Sequence, residues 1–223
     1  MRRAVIFDLD DTLYPREAFV RSGLSAVARY AERRFGIGAE QALRTMLRSI
    51  GTGLEFQALL MGFNLPEDLM PALLDVFRTH DPALCPYEDA RPALDRLRRE
   101  GWALAILTNG LPAVQARKVN ALALAPLVDT VVYAEEHAAI GKPHPAVYHR
   151  VLQELDLPAG RCVMVGDDVE CDIKGARAAG MRTIKMMRHD SGRLCPADVG
   201  VEFLSGVPAA AAALIPEVTT HAA

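Results

Sequence analysis

The sequence lacks the marks of a membrane protein, a secreted protein and a nucleic-acid-binding protein. The longest uncharged apolar stretch near its end spans residues 207–215 and includes Pro208, far short of the roughly 20 residues that a membrane helix needs. Asp8 interrupts the first apolar run, so no secretory signal core forms there. The formal net charge of -3 gives no basic excess for a polyanion. We therefore expect a cytoplasmic protein with neither a membrane nor a nucleic acid polymer as its partner.

Closely spaced cysteine pairs are also lacking. There is no CxxC pair, and no histidine stands at metal-ligand spacing from a cysteine. We expect free thiols with structural roles at the four cysteines, which are Cys85, Cys162, Cys171 and Cys195. The 223 residues are enough for one large domain, or for a core with a smaller second unit.

The most informative stretch is VIFDLDDTL at residues 5–13, where an apolar run breaks into carboxylates. Val, Ile and Phe in succession fit a buried strand of a parallel sheet, and such sheets bind ligands at the carboxyl ends of their strands. The two-residue repeat of a strand places Asp8 and Asp10 on the same side of the chain. Acids this crowded repel one another unless a cation or a proton lies among them. The alternative is an ordinary Asp-rich turn after a strand.

Two kinds of pattern divide the chain. Residues 15–83 show helical periodicity without β-branched runs, and one helix predicted there covers residues 39–50. After residue 87, helices alternate with apolar runs, which predicts an α/β fold with a doubly wound parallel sheet. We thus expect a core of residues 1–14 and 84–223 with an all-helical insert at 15–83. Further strands are predicted at residues 102–107, 130–134, 161–165 and 183–187, and a helix at 172–179.

Polar residues that could bind a ligand stand in two later segments, the turn that ends the second strand and a loop that contains prolines. Thr108 and Asn109 end the second strand with hydroxyl and amide groups, and Gly110 lets a ligand approach the backbone, so this turn could hold a phosphate. The alternative is an ordinary helix start. Lys142 lies in a loop stiffened by prolines and suits pairing with a phosphate or an acid. The alternative there is a solvated loop lysine.

The fourth strand ends in another group of acids, Asp167, Asp168 and Asp172. Hard oxygen donors without histidine or cysteine in ligand register suit Mg²⁺, which binds one or two carboxylates and keeps other positions for water and substrate. Acids at the start of the following helix would explain some of these residues, but not readily all of them.

Together, four motifs resemble those of the haloacid dehalogenase superfamily. They are DLDDT at residues 8–12, Thr108-Asn109, Lys142-Pro143, and GDD at residues 166–168 with Asp172. The helical insert after the first motif resembles the C1 cap of this superfamily. The resemblance implies a Rossmann-like core with sheet order 5-4-1-2-3 and a reaction that uses Mg²⁺.

The same resemblance implies a role for each residue of the motifs. Asp8 would be a nucleophile that forms an aspartyl-phosphate, and Asp10 would be the general acid/base. Thr108, Asn109 and Lys142 would bind the phosphate.

For the metal, the resemblance implies ligands from two strand ends. Asp8 would bind Mg²⁺ together with the backbone carbonyl of Asp10 and with Asp167. Either Asp168 or Asp172 would support this site.

The resemblance also leaves a choice between several reactions. Dehalogenases of this superfamily need no leaving-group proton and lack both the second acid and Mg²⁺, so Asp10 favours a phosphatase. A phosphonatase would need a Schiff-base lysine in the cap, but residues 15–83 contain no lysine. A phosphomutase of β-phosphoglucomutase type and a catalytically retired binding protein of this fold are the alternatives. The strings DTLYP and LTNG are similar to phosphatases acting on nucleoside monophosphates or sugar phosphates.

Substrate choice is expected to lie in the insert. Arg48, Gly51 and Thr52 lie where its second helix is predicted to end, and the corresponding loop of C1-capped relatives dips toward the active site. A Gly-Thr-Gly turn can approach a ligand and move with a lid. We expect Arg48 to meet distal groups of the substrate, whereas Arg44 fits an ordinary position near a helix C-terminus.

Overall fold

The computed structural model describes residues 2–135, 140–188 and 196–217. The chain divides into two compact units, one made of Met1–Pro15 with Cys85–Ala223 and the other of Arg16–Leu84. Within the described residues, none of the helices combines the length and the apolar character that crossing a membrane requires.

The unit Arg16–Leu84 is all helical, as predicted for the insert. The first helix ends at Phe35 because Gly36 takes a φ of +70°, which glycine reaches without strain. The helices pack on a shared apolar core that includes Leu24, Val27, Met46, Leu59 and Leu73. In chain order they are α1 Arg16–Phe35, α2 Ala39–Leu47, α3 Glu55–Gly62 and α4 Met70–Thr79.

Helix α2 is shorter than predicted, since it ends at Leu47 and not at residue 50. After it, Ser49 N–H donates to the Met46 carbonyl at 3.0 Å and Ile50 N–H to the Leu47 carbonyl at 3.3 Å. These bonds reach back three residues, so the chain tightens into turns that lead to Gly51.

In the other unit, the predicted doubly wound parallel sheet is confirmed. Its order is β3-β2-β1-β4-β5-β6, which extends the implied order by one strand. All five residues of β1 are buried between β2 and β4, as its continuous apolar run predicts. The strands are β1 Arg3–Phe7, β2 Trp102–Thr108, β3 Thr130–Tyr133, β4 Cys162–Gly166, β5 Arg182–Met186 and β6 Val199–Val201.

Helices complete this unit by packing on the sheet. Helix α7 buries Tyr148, Val151 and Leu155 in the same apolar cluster as Ile6 of β1 and Met164 of β4. Helix α5 buries Leu94 and Leu97, its fifth and eighth residues, and it contacts β2 and α9. The helices are α5 Ala90–Arg99, α6 Pro112–Ala121, α7 Pro145–Leu155, α8 Gly175–Ala178 and α9 Val207–Leu214.

Besides the end of α2, two details of the predicted secondary structure are wrong. The chain after β4 forms a π-helical turn, Val169–Lys174, before the short α8, instead of a single helix at 172–179. This turn begins early because the Asp168 carboxylate caps it by accepting from Cys171 N–H at 2.7 Å. Strand β6 was missed because three residues are too few to show a strand pattern.

The predicted free cysteines are confirmed where the structure describes them. Cys85, Cys162 and Cys171 are free, and they are respectively exposed, buried and half-buried. Cys195 lies outside the described residues.

Candidate active site

The site is built at the carboxyl end of β1, in the middle of the sheet. Asp8 follows the strand directly, and its N–H continues the sheet by donating to the Val165 carbonyl of β4 at 2.9 Å. The chain then turns sharply. Asp11 takes a positive φ of 58° and Asp10 forms an isolated bridge with Tyr14. This turn holds Asp10 beside the strand end, near enough for its charge to contribute to the pKa of Asp8.

Lys142 joins two carboxylates at this end of the sheet. Its ammonium lies 2.7 Å from Asp8 Oδ1 and 2.6 Å from Asp172 Oδ1. The side chains of Lys142 and Asp172 are almost fully buried. Burial disfavours the ammonium, but the two carboxylates outweigh this effect and raise the pKa of Lys142. Lys142 is therefore a fixed positive charge, not a solvated loop residue.

Three carboxylates meet at this point and form a candidate metal centre. Oxygens of Asp8, Asp167 and Asp172 lie within 4.8 Å of one another. Burial raises the pKa of Asp8 to about 7, helped by the Asp172 charge and opposed by Lys142. Burial also raises the pKa of Asp167 to about 6, with added repulsion from Asp8. One lysine cannot neutralise two buried acids and a half-buried third, and an all-oxygen donor set fits Mg²⁺.

The geometry favours Asp172 over Asp168 as the supporting acid. Asp168 Oδ1 is the cap that accepts from Cys171 N–H, which directs it to the start of the π-helical turn. Asp172 instead reaches back into the acid cluster, and its other oxygen accepts from Asp168 N–H at 3.1 Å. A Cβ atom on Gly166 would lie only 2.2 Å from Asp172 Oδ2, so glycine is required there for Asp172 to enter the site.

Asp10 lies in a different environment from Asp8. Lys118 Nζ lies 2.7 and 2.9 Å from its two oxygens, Gln115 Nε2 donates to Oδ2 at 2.9 Å, and Tyr14 O–H donates to Oδ1 at 2.5 Å. Burial alone would raise the pKa of Asp10, but the Lys118 charge and these donors outweigh it and lower the pKa. The surroundings of these two acids, which are two residues apart, thus raise the pKa of Asp8 and lower the pKa of Asp10.

Three of these partners were missed by the sequence reasoning. Tyr14 lies two residues after the first motif and carries no acidic or basic signal, and Gln115 and Lys118 lie on α6. Both α6 residues are buried, at 2% and 6% exposure. In the sequence, two long polar residues three positions apart share one face of a helix, and such a face is ordinarily exposed, so the pattern gave no signal of burial.

Thr108 ends β2 and Asn109 begins the turn after it, and their side chains make different hydrogen bonds. Thr108 Oγ1 is buried and accepts from Gln115 Nε2 at 2.5 Å. Asn109 uses both ends of its amide on the Lys142 backbone: Oδ1 accepts from the N–H at 2.7 Å and Nδ2 donates to the carbonyl at 3.0 Å. The side chain of Asn109 therefore positions the Lys142 loop, and its phosphate contact stays a prediction. A Cβ on Gly141 would lie 2.8 Å from Asn109 Oδ1, which explains the glycine there.

The residues predicted to choose the substrate lie in the helical unit. Arg48 is the exposed C-cap of α2, and Arg44 pairs with Glu40 one turn earlier on the same helix. Gly51 has a φ of +80°. Thr52 Oγ1 donates to the Ser49 carbonyl at 2.6 Å. The turn is ordered by its own hydrogen bonds, and its part in substrate choice stays a prediction.

Comparison with known proteins places this arrangement of residues in a family. A family model described as haloacid dehalogenase-like hydrolase matches residues 2–180. The chain belongs to the haloacid dehalogenase-like hydrolases.

Several of its relatives carry phosphatase names. Glyceraldehyde 3-phosphate phosphatase from Methanopyrus kandleri is 30% identical over 84% of this chain and 85% of its own. Ribulose-1,5-bisphosphate 5-phosphatase from Halopiger xanaduensis is 32% identical over 82% of this chain and 84% of its own. A solved 2-haloacid dehalogenase from Pseudomonas syringae pv. Tomato DC3000 is 26% identical with a TM-score of 0.67, covering 96% of this chain and 99% of its own. The fold thus serves two reactions, and the relatives in sequence support a phosphatase.

Proposed function

We propose that this protein is a Mg²⁺-dependent phosphatase that hydrolyses a small sugar phosphate through an aspartyl-phosphate on Asp8. The observation that carries the proposal is that two neighbouring acids have different surroundings. Asp8 lies in the acid cluster, and Asp10 is held apart by its own hydrogen-bond donors. Two neighbouring acids in such different surroundings can take the different roles of nucleophile and acid/base. Release of a halide needs no proton, whereas release of a sugar alkoxide does.

The residues of the site divide the tasks of the proposed reaction among them. Asp8 attacks the phosphorus atom, and the alcohol leaves from the opposite side. Lys142 and the Thr108 hydroxyl hold the phosphoryl oxygens, where negative charge accumulates. Asp8, Asp167 and Asp172 would hold Mg²⁺, which supplies further neutralisation of the phosphoryl charge when it is bound.

Asp10 acts on protons in both halves of the reaction. It donates a proton to the leaving oxygen, and it later takes one from the water that hydrolyses the aspartyl-phosphate. Its lowered pKa suits the second role. For the first role, a bound phosphate dianion beside the carboxylate favours uptake of the proton that Asp10 delivers.

The substrate class is inferred from relatives. The two named relatives act on a triose phosphate and on a pentose bisphosphate, which favours a sugar phosphate over a nucleoside monophosphate. Both substrates are alkyl phosphates, whose alkoxide leaving groups depend on an acid such as Asp10.

The test is release of inorganic phosphate by the purified full-length chain with Mg²⁺. The panel comprises triose, pentose and hexose phosphates, nucleoside monophosphates and 2-chloropropionate. We expect phosphate release from sugar phosphates, none after Asp8→Asn, and normal release after Asp95→Asn, a matched change on the exposed face of α5. Chloride release without phosphatase activity would reject the proposal, and phosphoryl transfer to a second sugar without free phosphate would indicate a mutase.

A further inference from the structure

Helix α6 presents two buried polar side chains where apolar packing would be expected. Gln115 and Lys118 are three residues apart, so they lie on one face of the helix. Glutamine and lysine are seldom buried unless their polar atoms are bonded. Here the bonds run to Asp10 for both residues and also to Thr108 for Gln115. This face of α6 therefore contacts two residues to which the proposed function gives roles.

The amide of Gln115 links those two residues through one atom. Its Nε2 lies 2.9 Å from Asp10 Oδ2 and 2.5 Å from Thr108 Oγ1, and the two hydrogens of an amide nitrogen suffice for both bonds. A single rigid group thus fixes the distance between a carboxylate on the β1 turn and a hydroxyl at the end of β2.

This link also sets the direction of the Thr108 hydroxyl. Because Thr108 Oγ1 accepts a hydrogen from Gln115, its own hydrogen is left to donate. The hydroxyl bonds only weakly to the Asn109 carbonyl, at 3.4 Å. A phosphoryl oxygen is a stronger acceptor than the Asn109 carbonyl, because it carries negative charge. Gln115 therefore makes Thr108 a donor toward phosphate.

Lys118 fixes the same carboxylate from another side. Its ammonium contacts both oxygens of Asp10, at 2.7 and 2.9 Å, and so restrains rotation of the carboxylate. Gln115 differs from Lys118 in contacting Thr108 as well.

We propose that Gln115 is a positioning residue that couples the acid/base Asp10 to the phosphate-binding Thr108, with Lys118 securing Asp10. The proposal rests on the proposed function, because both partners take their roles from it. By positioning Asp10, Gln115 assists protonation of the leaving group, and by orienting Thr108 it assists binding of the phosphoryl group. Its removal must therefore produce two separable losses.

The experiment compares Gln115→Met with wild type on two substrates. One is p-nitrophenyl phosphate, whose leaving group needs no proton, and the other is the sugar phosphate hydrolysed fastest in the panel above. We expect kcat/KM to fall for both through Thr108, and to fall at least about tenfold further for the sugar phosphate through Asp10. The ratio of the two values is the readout, because an unfolded fraction lowers both in proportion. The matched control is Gln153→Met on the exposed face of α7, which should leave both values unchanged.

A second background separates positioning from structure. In Asp10→Asn the acid is already absent, so adding Gln115→Met should leave the ratio of the two kcat/KM values unchanged. An unchanged ratio for Gln115→Met alone, or an equal drop in both backgrounds, would overturn the proposal. If wild type released phosphate from neither substrate, the proposed function itself would fail, and this outcome is distinct from the others.

Discussion

Replacing Lys142 with methionine tests whether the acid cluster is held together by charge. The lysine has ion pairs of 2.7 and 2.6 Å with Asp8 and Asp172, and its side chain is 2% exposed. Removing one partner of a buried ion pair costs about 3–5 kcal/mol of unfolding free energy, because the other partner is left buried and unpaired. For a protein of this size, we expect the melting temperature to fall by about 6–20 °C near neutral pH.

The unfolding free energy that Lys142→Met loses must depend on pH in a definite direction. The folded pKa of Asp8 is already raised to about 7, and that of Asp172 is raised as well. Without Lys142 both rise further, so between about pH 4 and the raised folded pKa values the folded state binds more protons than the unfolded state. The unfolding free energy of Lys142→Met therefore falls as the pH rises through this range. The melting temperature should lie closer to wild type at about pH 5 than at about pH 8.

Thermal unfolding of the metal-free protein, followed by far-UV circular dichroism, measures both values. Lys174→Met is the matched control. Its exposed ion pair with Glu170 should contribute at most about 1 kcal/mol. A loss of the same size at both pH values would show that Lys142 stabilises the fold by packing, and it would refute the reasoning from charge.

Four further outcomes concern activity. Asp8→Asn should melt near the wild-type temperature yet lose turnover by several orders of magnitude, since an amide forms no acyl phosphate; near-normal turnover contradicts its role. Asp10→Asn should lose more activity on a sugar phosphate than on p-nitrophenyl phosphate, and equal losses in the two kcat/KM values would count against the acid. Chelation should abolish turnover, and Asp167→Ala should need more Mg²⁺ for its half-maximal rate; full activity in excess EDTA rejects the metal. We propose that Arg48→Ala raises KM for the preferred sugar phosphate at least about tenfold while sparing p-nitrophenyl phosphate; proportional losses on both substrates would make Arg48 structural.

The sequence alone determined where the proposed chemistry lies along the chain. Asp8, Thr108 and Asp167 each follow a continuous apolar run, and such a run predicts a buried parallel strand. The carboxyl ends of parallel strands share one edge of the sheet, so the placement of these residues along that edge followed from local patterns. The helical character of the insert was equally local, because it depends on a periodicity of a few residues.

Only the tertiary structure decided which of these side chains meet one another. Lys142 is 134 residues from Asp8, and Gln115 is 105 residues from Asp10. Contacts over such separations depend on strand order and helix rotation, which no local pattern records. Gln115 and Lys118 consequently look like surface residues in the sequence, and the choice between Asp168 and Asp172 stays open there. The π-helical turn directs Asp172 into the acid cluster, and the packing of α6 buries Gln115 and Lys118, because these elements fix the direction in which each side chain leaves the backbone.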